Sequence, residues 1–402
     1  MNSLAPDTTA LHFPVCGNCE ATNLQSLENP VSRAEFRREF FSAATAREWN
    51  DWRWQIKNRI RDREELERIF KLSDDERAAL ERIGGRIPVG ITPYYASLIS
   101  RDDAGDPLRR TKIPVAQELI RSPGEYDDPL GEDSHNPVPG LVHTYPDKVL
   151  FLATDFCATY CRYCMRSRLV GKGTFLPDHA MWARAIEYIR GHREVRDVLI
   201  SGGDPLIMAD DRIEWLLQRL RAIPHVEFLR IGTKVPAVLP QRITTALAKM
   251  LKKYHPLFMS LHFVHPNELT PECAKACGRL ADAGIPLGGQ MVLLKGVNDD
   301  AETMKKLCTG LLKIRVKPYY LHQCDAISGS QHFRTKISDG LEIMRALHGH
   351  TTGYAVPHYM VDAPGGGGKV PLSPDYRAGR DGGDQLFENF AGKIYRYRDP
   401  GF

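Results

Sequence analysis

Thr154-Asp155-Phe156-Cys157-Ala158-Thr159-Tyr160-Cys161-Arg162-Tyr163-Cys164 carries three cysteines at C-x3-C-x2-C spacing, directly after the apolar run Val149-Leu150-Phe151-Leu152-Ala153. Iron–sulfur clusters are held through cysteine sulfur, so three closely spaced thiolates can ligate three irons of a [4Fe-4S] cluster. A full protein set needs four ligands. The missing fourth leaves one iron open to a small molecule. Two other readings compete. Zinc takes four ligands and usually pairs C-x2-C units, and no second cysteine pair follows at zinc-ribbon spacing. Unrelated thiols would leave the aromatic Tyr163 inside the motif unexplained. Cys157, Cys161 and Cys164 are therefore the candidate cluster ligands.

Outward from the motif, strand-like runs fall at 149–155, 197–201, 227–233, 257–263, 286–294 and 316–323. Helix-period runs lie between and after them, at 178–191, 210–223, 241–254, 270–284, 300–314 and 336–349. Alternating strands and helices predict an α/β fold with a parallel sheet. Six such units suit a partial barrel, in which chemistry collects at the C-terminal ends of the strands. Cys157 follows the first strand, Ser201-Gly202-Gly203-Asp204 the second, and Asp325 the sixth. The barrel is expected over 146–350, after an irregular segment at 1–30 and a helical and loop extension over 31–145. Helices in that extension are expected at 32–46, 48–63 and 73–84, with Ser73-Asp74-Asp75-Glu76 as a helix start. Residues 91–145, rich in Pro, Gly and Asp, are expected to wrap the core as loops with short helices.

The chain has 402 residues, with 54 basic and 50 acidic side chains, a net charge of +4 that is too balanced to point to nucleic acid. No apolar run approaches the roughly 20 residues of a membrane span. The first residues lack the basic region and apolar core of a signal peptide. Nine cysteines, three in the cluster motif, read as reduced thiols in a cytoplasm. Cys16 and Cys19 form a lone C-x2-C that reads as incidental.

A second constellation is Val361-Asp362-Ala363-Pro364-Gly365-Gly366-Gly367-Gly368-Lys369. Consecutive glycines give backbone freedom and exposed amides, which suit a phosphate or a flat cofactor. Val370 after the lysine rules out a P-loop. A lysine beside such a turn can form a Schiff base with pyridoxal phosphate. The plainer alternative is a flexible loop with a solvated lysine. On the first reading, 351–402 is a pyridoxal-phosphate-binding C-terminal segment.

Taken together, the cysteine motif, Tyr319-Tyr320-Leu321-His322-Gln323-Cys324-Asp325 and the Asp362 to Lys369 stretch resemble the lysine 2,3-aminomutase family, pyridoxal-dependent members of the radical S-adenosylmethionine enzymes. The resemblance runs on through Trp49-Asn50-Asp51-Trp52-Arg53-Trp54-Gln55, Ile91-Thr92-Pro93-Tyr94-Tyr95 and His332-Phe333-Arg334-Thr335, covering about 45–395. It implies a partial (β/α)6 radical-SAM barrel. It implies Cys157, Cys161 and Cys164 on the cluster, with Tyr163, Ser201, Gly202, Gly203, Asp204, His262 and Gln290 around S-adenosylmethionine. Lys369 is implied as the pyridoxal phosphate lysine, with Tyr145, Lys148, Gly367 and Gly368 nearby. Arg166 is implied as the clamp on the substrate α-carboxylate, and Asp325 and Asp362 as the carboxylates that receive its side-chain ammonium. The partners implied are a small amino-acid substrate, an electron donor such as flavodoxin or ferredoxin, and further copies of the chain.

The chemistry fits these parts. Moving an amino group from C2 to C3 breaks an unactivated C–H bond, which side-chain acids and bases cannot do and a carbon radical can. The chain also departs from the family pattern. No cysteine follows Cys324, and Asp300 occupies the position of a neighbouring-subunit cysteine, so no structural zinc is expected. Thr144, Lys148 and Lys234 stand where arginines are usual. L-Lysine is the expected substrate and L-arginine the alternative. Further from the pattern are an enzyme serving elongation factor P and a non-catalytic iron–sulfur protein. Two carboxylates would repel the side chain of glutamate.

Overall fold

A computed structural model describes residues 33–82 and 87–400; Cys16, Cys19 and the whole 1–30 segment lie outside the described residues. The main sheet contains β1 (Leu141–Tyr145), β2 (Lys148–Thr154), β3 (Asp197–Gly202), β4 (Phe228–Thr233), β5 (Leu257–His262), β6 (Leu287–Leu293), β7 (Lys317–Gln323), β8 (His358–Ala363) and β9 (Gly368–Leu372), paired in that order. Strands β2 to β8 are parallel, and β1 and β9 flank them antiparallel. The sheet curls into a nearly closed barrel. Its two edge strands meet through Tyr145, whose hydroxyl accepts the Lys369 N–H at 2.8 Å.

Strands β2 to β7 form where expected, and in β2 to β6 Val, Ile, Leu, Phe and Met supply most of the buried positions. The six expected helices form as His179–Gly191, Asp210–Arg221, Thr245–Leu251, Pro271–Asp282, Ala301–Lys313 and Ile337–Leu347. Each buries one apolar stripe against the sheet. Ile213, Leu216, Leu217 and Leu220 do so in the second, at the i, i+3, i+4, i+7 spacing of one helix face. Asp178, Thr244, Thr270 and Asp300 cap four of these helices, each accepting the N–H three residues on.

The amino-terminal region differs from expectation. In place of long helices at 32–46 and 48–63 it has Arg33–Phe40, Ala46–Trp49, Trp52–Lys57 and Arg63–Ile69, followed by Asp74–Arg82. The breaks are made by capping side chains. Thr45 and Glu48 form a capping box, and Asp51 and Asp62 accept the N–H groups of Arg53 and Glu65. The expected start at Ser73 holds, with Ser73 and Glu76 capping each other. Beyond β9 the chain forms a separate antiparallel sheet of β10 (Arg377–Asp381), β11 (Asp384–Glu388) and β12 (Ile394–Arg398). None of β1 or β8 to β12 stands out in the sequence as a strand. Among the described residues no helix is long and apolar enough to cross a membrane.

Candidate active site

The barrel encloses a cavity of about 710 Å3. Of the eighteen residues singled out in the sequence, all but Gly367 line it. Gly367 instead packs against Ala363, and its neighbours Gly366 and Gly368 face the cavity.

At the cysteine end, the loop after β2 is pinned from several sides. Buried Arg162 grips the Glu118 carboxylate through Nε and Nη2 and donates from Nη1 to the Ile87 carbonyl at 2.9 Å. Its backbone N–H reaches Thr111 O at 3.0 Å. Arg59 donates to Cys157 O at 2.7 Å while lying over the Phe156 ring. The Lys112 ammonium donates to Cys161 Sγ at 3.2 Å. All three cysteines are free thiols. Burial, reinforced by Cys161, pushes the Cys164 thiol up to about 11; at Cys161 the charges of Lys112 and Lys234 outweigh burial and lower it. Among the described residues no three His, Cys, Asp or Glu side chains converge on the position of a single ion. Three free thiols on one pinned loop facing a cavity fit an iron–sulfur cluster, which is held through cysteine sulfur. Tyr163 packs edge-on against Phe333, ring centroids 6.1 Å apart.

At the end of β3, Gly202 has φ +115°, and a Cβ there would run into the Thr154 carbonyl. Only glycine lets this turn pass so close to β2. Asp204 is buried and fully engaged. Its carboxylate accepts from Thr233 Oγ1 at 2.7 Å, from Lys234 N at 2.7 Å and from Leu206 N at 3.1 Å. It therefore shapes the glycine turn. His262 and Gln290 are register partners on β5 and β6. Burial, helped by the Lys234 charge, lowers His262 to about 3, so its imidazole is neutral. Lys234 itself bonds Glu268 at 2.6 Å and the His262 carbonyl at 3.2 Å. Glycine backbone, a neutral imidazole and an amide on adjoining strand ends suit the adenine and amino-acid ends of S-adenosylmethionine without placing a cation against its sulfonium.

The far wall is built by β7, β8 and β9. Lys369 Nζ lies 2.5 Å from Asp362 Oδ1, and His322 Nδ1 lies 2.9 Å from Asp362 Oδ2. Burial would raise Asp362, but the His322 hydrogen bond and the Lys369 charge hold it at about 2. Asp325 behaves oppositely. Its carboxylate makes no hydrogen bond among the described residues, and burial and the charge of Asp362 raise it to about 7. A half-buried carboxylate that faces a cavity and has no hydrogen-bond partner among the described residues is an opening for a cation. Thr144, Tyr145 and Lys148 line the same space, with Lys148 Nζ 4.3 Å from the Tyr145 ring centroid. One reactive lysine beside tyrosines, a cation and a glycine turn fits pyridoxal phosphate.

Arg166 uses its Nε and Nη2 edge on Glu132, at 2.8 to 3.2 Å. Its Nη1 makes no hydrogen bond among the described residues, so the other edge stays open for a carboxylate. Glu132, His322, Arg162 and Lys112 were not singled out in the sequence. His322 had a signal, since it shares a strand face with Tyr320 in the quoted 319–325 stretch. Glu132 and Lys112 had none, lying in loops 34 and 49 residues from their partners.

Comparison with known proteins agrees with this geometry. Residues 151–308 match the family model of the radical SAM superfamily, and residues 344–401 match that of lysine-2,3-aminomutase. The chain is 50% identical to the L-lysine 2,3-aminomutase of Acetoanaerobium sticklandii over 90% of its own length and 87% of that protein. It is 50% identical to the enzyme of the same name from Clostridium subterminale, over 90% and 88% of the two chains. The glutamate 2,3-aminomutase of Clostridioides difficile is 43% identical over 88% and 84%. Half of all residues shared along nine-tenths of the chain, on a barrel that gathers the cysteine loop and the glycine-turn lysine around one cavity, is common descent: the chain belongs to the lysine 2,3-aminomutase family of the radical SAM superfamily.

Proposed function

We propose that the protein is an isomerase that moves the 2-amino group of L-lysine to C3, giving L-β-lysine. The observation that carries the substrate is the half-buried Asp325 carboxylate, without a hydrogen-bond partner among the described residues, in a cavity also lined by Asp362 and Arg166. Its cofactors are a [4Fe-4S] cluster, S-adenosylmethionine and pyridoxal phosphate: when bound, the first two supply a carbon radical able to take hydrogen from C3, and the third holds the migrating nitrogen.

The chain's own residues bind, orient and shield. The free edge of Arg166 takes the α-carboxylate, while Glu132 holds the guanidinium plane. Asp325 receives the side-chain ammonium. His322, with its proton on Nδ1, orients Asp362, whose second oxygen becomes available to the ammonium once Lys369 engages the cofactor. Water is kept out by the loop around 125–135, which ties the Asp325 loop to the glycine turn. Glu125 accepts the Gly329 N–H at 2.9 Å, and Pro129 O accepts the Gly365 N–H at 2.9 Å. Excluding water protects a reactive radical from side reactions.

In this reading 31–145 braces the cysteine loop, 146–350 carries the cluster and S-adenosylmethionine, and 351–402 brings the pyridoxal lysine. An electron donor of the flavodoxin or ferredoxin type feeds the cluster. The chain associates with copies of itself, a reading supported by the exposed Phe387, Ile394, Tyr395 and Tyr397 on the outer sheet. The test is an anaerobic assay of the reconstituted enzyme against the proteinogenic amino acids, with products identified by NMR and mass. Lysine should yield β-lysine most efficiently. Preferential turnover of arginine or glutamate would overturn the substrate, and no rearrangement of any amino acid would overturn the activity.

A further inference from the structure

Lys112 is 1% exposed, directly after the short helix Pro107–Arg110, and takes no part in substrate binding as read above. Burying an ammonium is costly unless an anion receives it. The buried carboxylate of this neighbourhood, Glu268, is already spent. Its Oε1 accepts from Lys234 Nζ at 2.6 Å and from Tyr95 OH at 2.8 Å, and its Oε2 from Val264 N at 2.6 Å. The Lys112 ammonium is 5.0 Å from the Tyr95 ring centroid, and among the described residues its one hydrogen bond goes to Cys161 Sγ at 3.2 Å. The one carboxylate thus serves Lys234, and the sulfur of Cys161 is the acceptor left to Lys112. Donor and sulfur are also held in register by backbone, because the Arg162 N–H bonds the Thr111 carbonyl at 3.0 Å.

We propose that Lys112 is a positioning residue that sets the reduction potential of the cluster through an N–H···S hydrogen bond to Cys161. Hydrogen bonds to ligand sulfurs are among the protein's levers on cluster potential. One electron from a low-potential one-electron donor converts the 2+ cluster to the 1+ state, with no bond made or broken. That electron adds negative charge to a group the thiolates already make anionic. A cationic donor on one thiolate therefore stabilises the reduced state and raises the potential. A bond stronger by about 1.4 kcal/mol in the reduced than in the oxidised state is a factor of about ten in the equilibrium, which is about 59 mV for a one-electron couple. The inference rests on Cys157, Cys161 and Cys164 being the cluster ligands.

The test uses full-length enzyme, reconstituted anaerobically with iron and sulfide, and EPR-monitored titration with dithionite. Lys112→Met should make cluster reduction about tenfold less favourable, a fall of about 59 mV. Lys112→Gln, which keeps a neutral N–H, should fall less. A parent potential in whichever variant carries a full cluster overturns the proposal. In the parent enzyme, the reduced cluster should show a proton hyperfine coupling that disappears in deuterium oxide; its absence overturns the proposal whatever the variants do. A parent protein that never assembles a cluster would instead overturn the ligand assignment beneath it.

Discussion

Replacing Asp325 by asparagine should cut kcat/KM for lysine by roughly 10–100-fold. That follows from about 1.5–3 kcal/mol for a hydrogen bond to a charged group, at 1.4 kcal/mol per tenfold. The pH dependence is the sharper part. Burial and the neighbouring Asp362 charge raise Asp325 to about 7, while Asp362 is held at about 2. Below pH 7 the free enzyme keeps a proton on Asp325, and the substrate ammonium binds the ionised form. With a pKa of about 7, the ionised fraction goes from about 9% at pH 6 to about 91% at pH 8, so kcat/KM for lysine should rise about tenfold over that range. Stability has the opposite slope. Between the ordinary carboxylate value and 7, the folded chain holds the proton and the unfolded chain does not, so Asp325 lowers stability as pH rises. The variant should lack both slopes. The assay is kcat/KM for lysine and for alanine from pH 6 to 8.5, parent against Asp325→Asn, with urea unfolding at the same pH values. An unchanged lysine preference together with the same pH limb in the variant would refute the assignment of Asp325 as the cation acceptor.

Cys157→Ala, Cys161→Ala or Cys164→Ala should each abolish S-adenosylmethionine cleavage, because three ligands are already the minimum; full cleavage after reconstitution in any of them would count against the cluster site. Borohydride reduction should trap pyridoxal phosphate on Lys369, read by peptide mapping, and Lys369→Ala should retain some S-adenosylmethionine cleavage because the cysteine loop is separate. Arg166→Lys should raise KM for every amino acid turned over, since all share the α-carboxylate and lysine cannot offer a two-pronged donor; an effect confined to basic substrates would contradict that role. Gly202→Ala should lower unfolding free energy by about 2 kcal/mol through backbone strain and weaken S-adenosylmethionine binding, measured by denaturation and calorimetry.

The barrel rhythm was legible because its signals are local. Strand composition, helix periodicity and capping residues act within a few positions, and the strand-end placement of Cys157, Ser201 to Asp204 and Asp325 follows from that rhythm alone. The amino-terminal helices were misread where caps at Thr45, Asp51 and Asp62 cut a charged periodic run. The closing strands were missed for a different reason. The segment of β1 is only five residues long, with His143 and Thr144 breaking its apolar run, and the segment of β8 and β9 is interrupted by four glycines, so neither stands out as a strand on its own.

What the sequence determined by itself was the donor set: three thiols on one loop, and one lysine after a glycine turn. Their chemistry lies in residue type and close spacing, which do not need a fold to be read. What only the tertiary structure decided was which groups face one another. Lys369 meets Tyr145 across 224 residues, Asp362 meets His322 across 40, Arg166 meets Glu132 across 34 and Cys161 meets Lys112 across 49. Such pairs leave no periodic trace, because they are made by strand order and by loops folding back over the barrel mouth. Burial in one cavity pushes both Asp325 and Asp362 up, but the His322 hydrogen bond and the Lys369 charge hold Asp362 down, so their protonation parts, and that property belongs to the folded pocket.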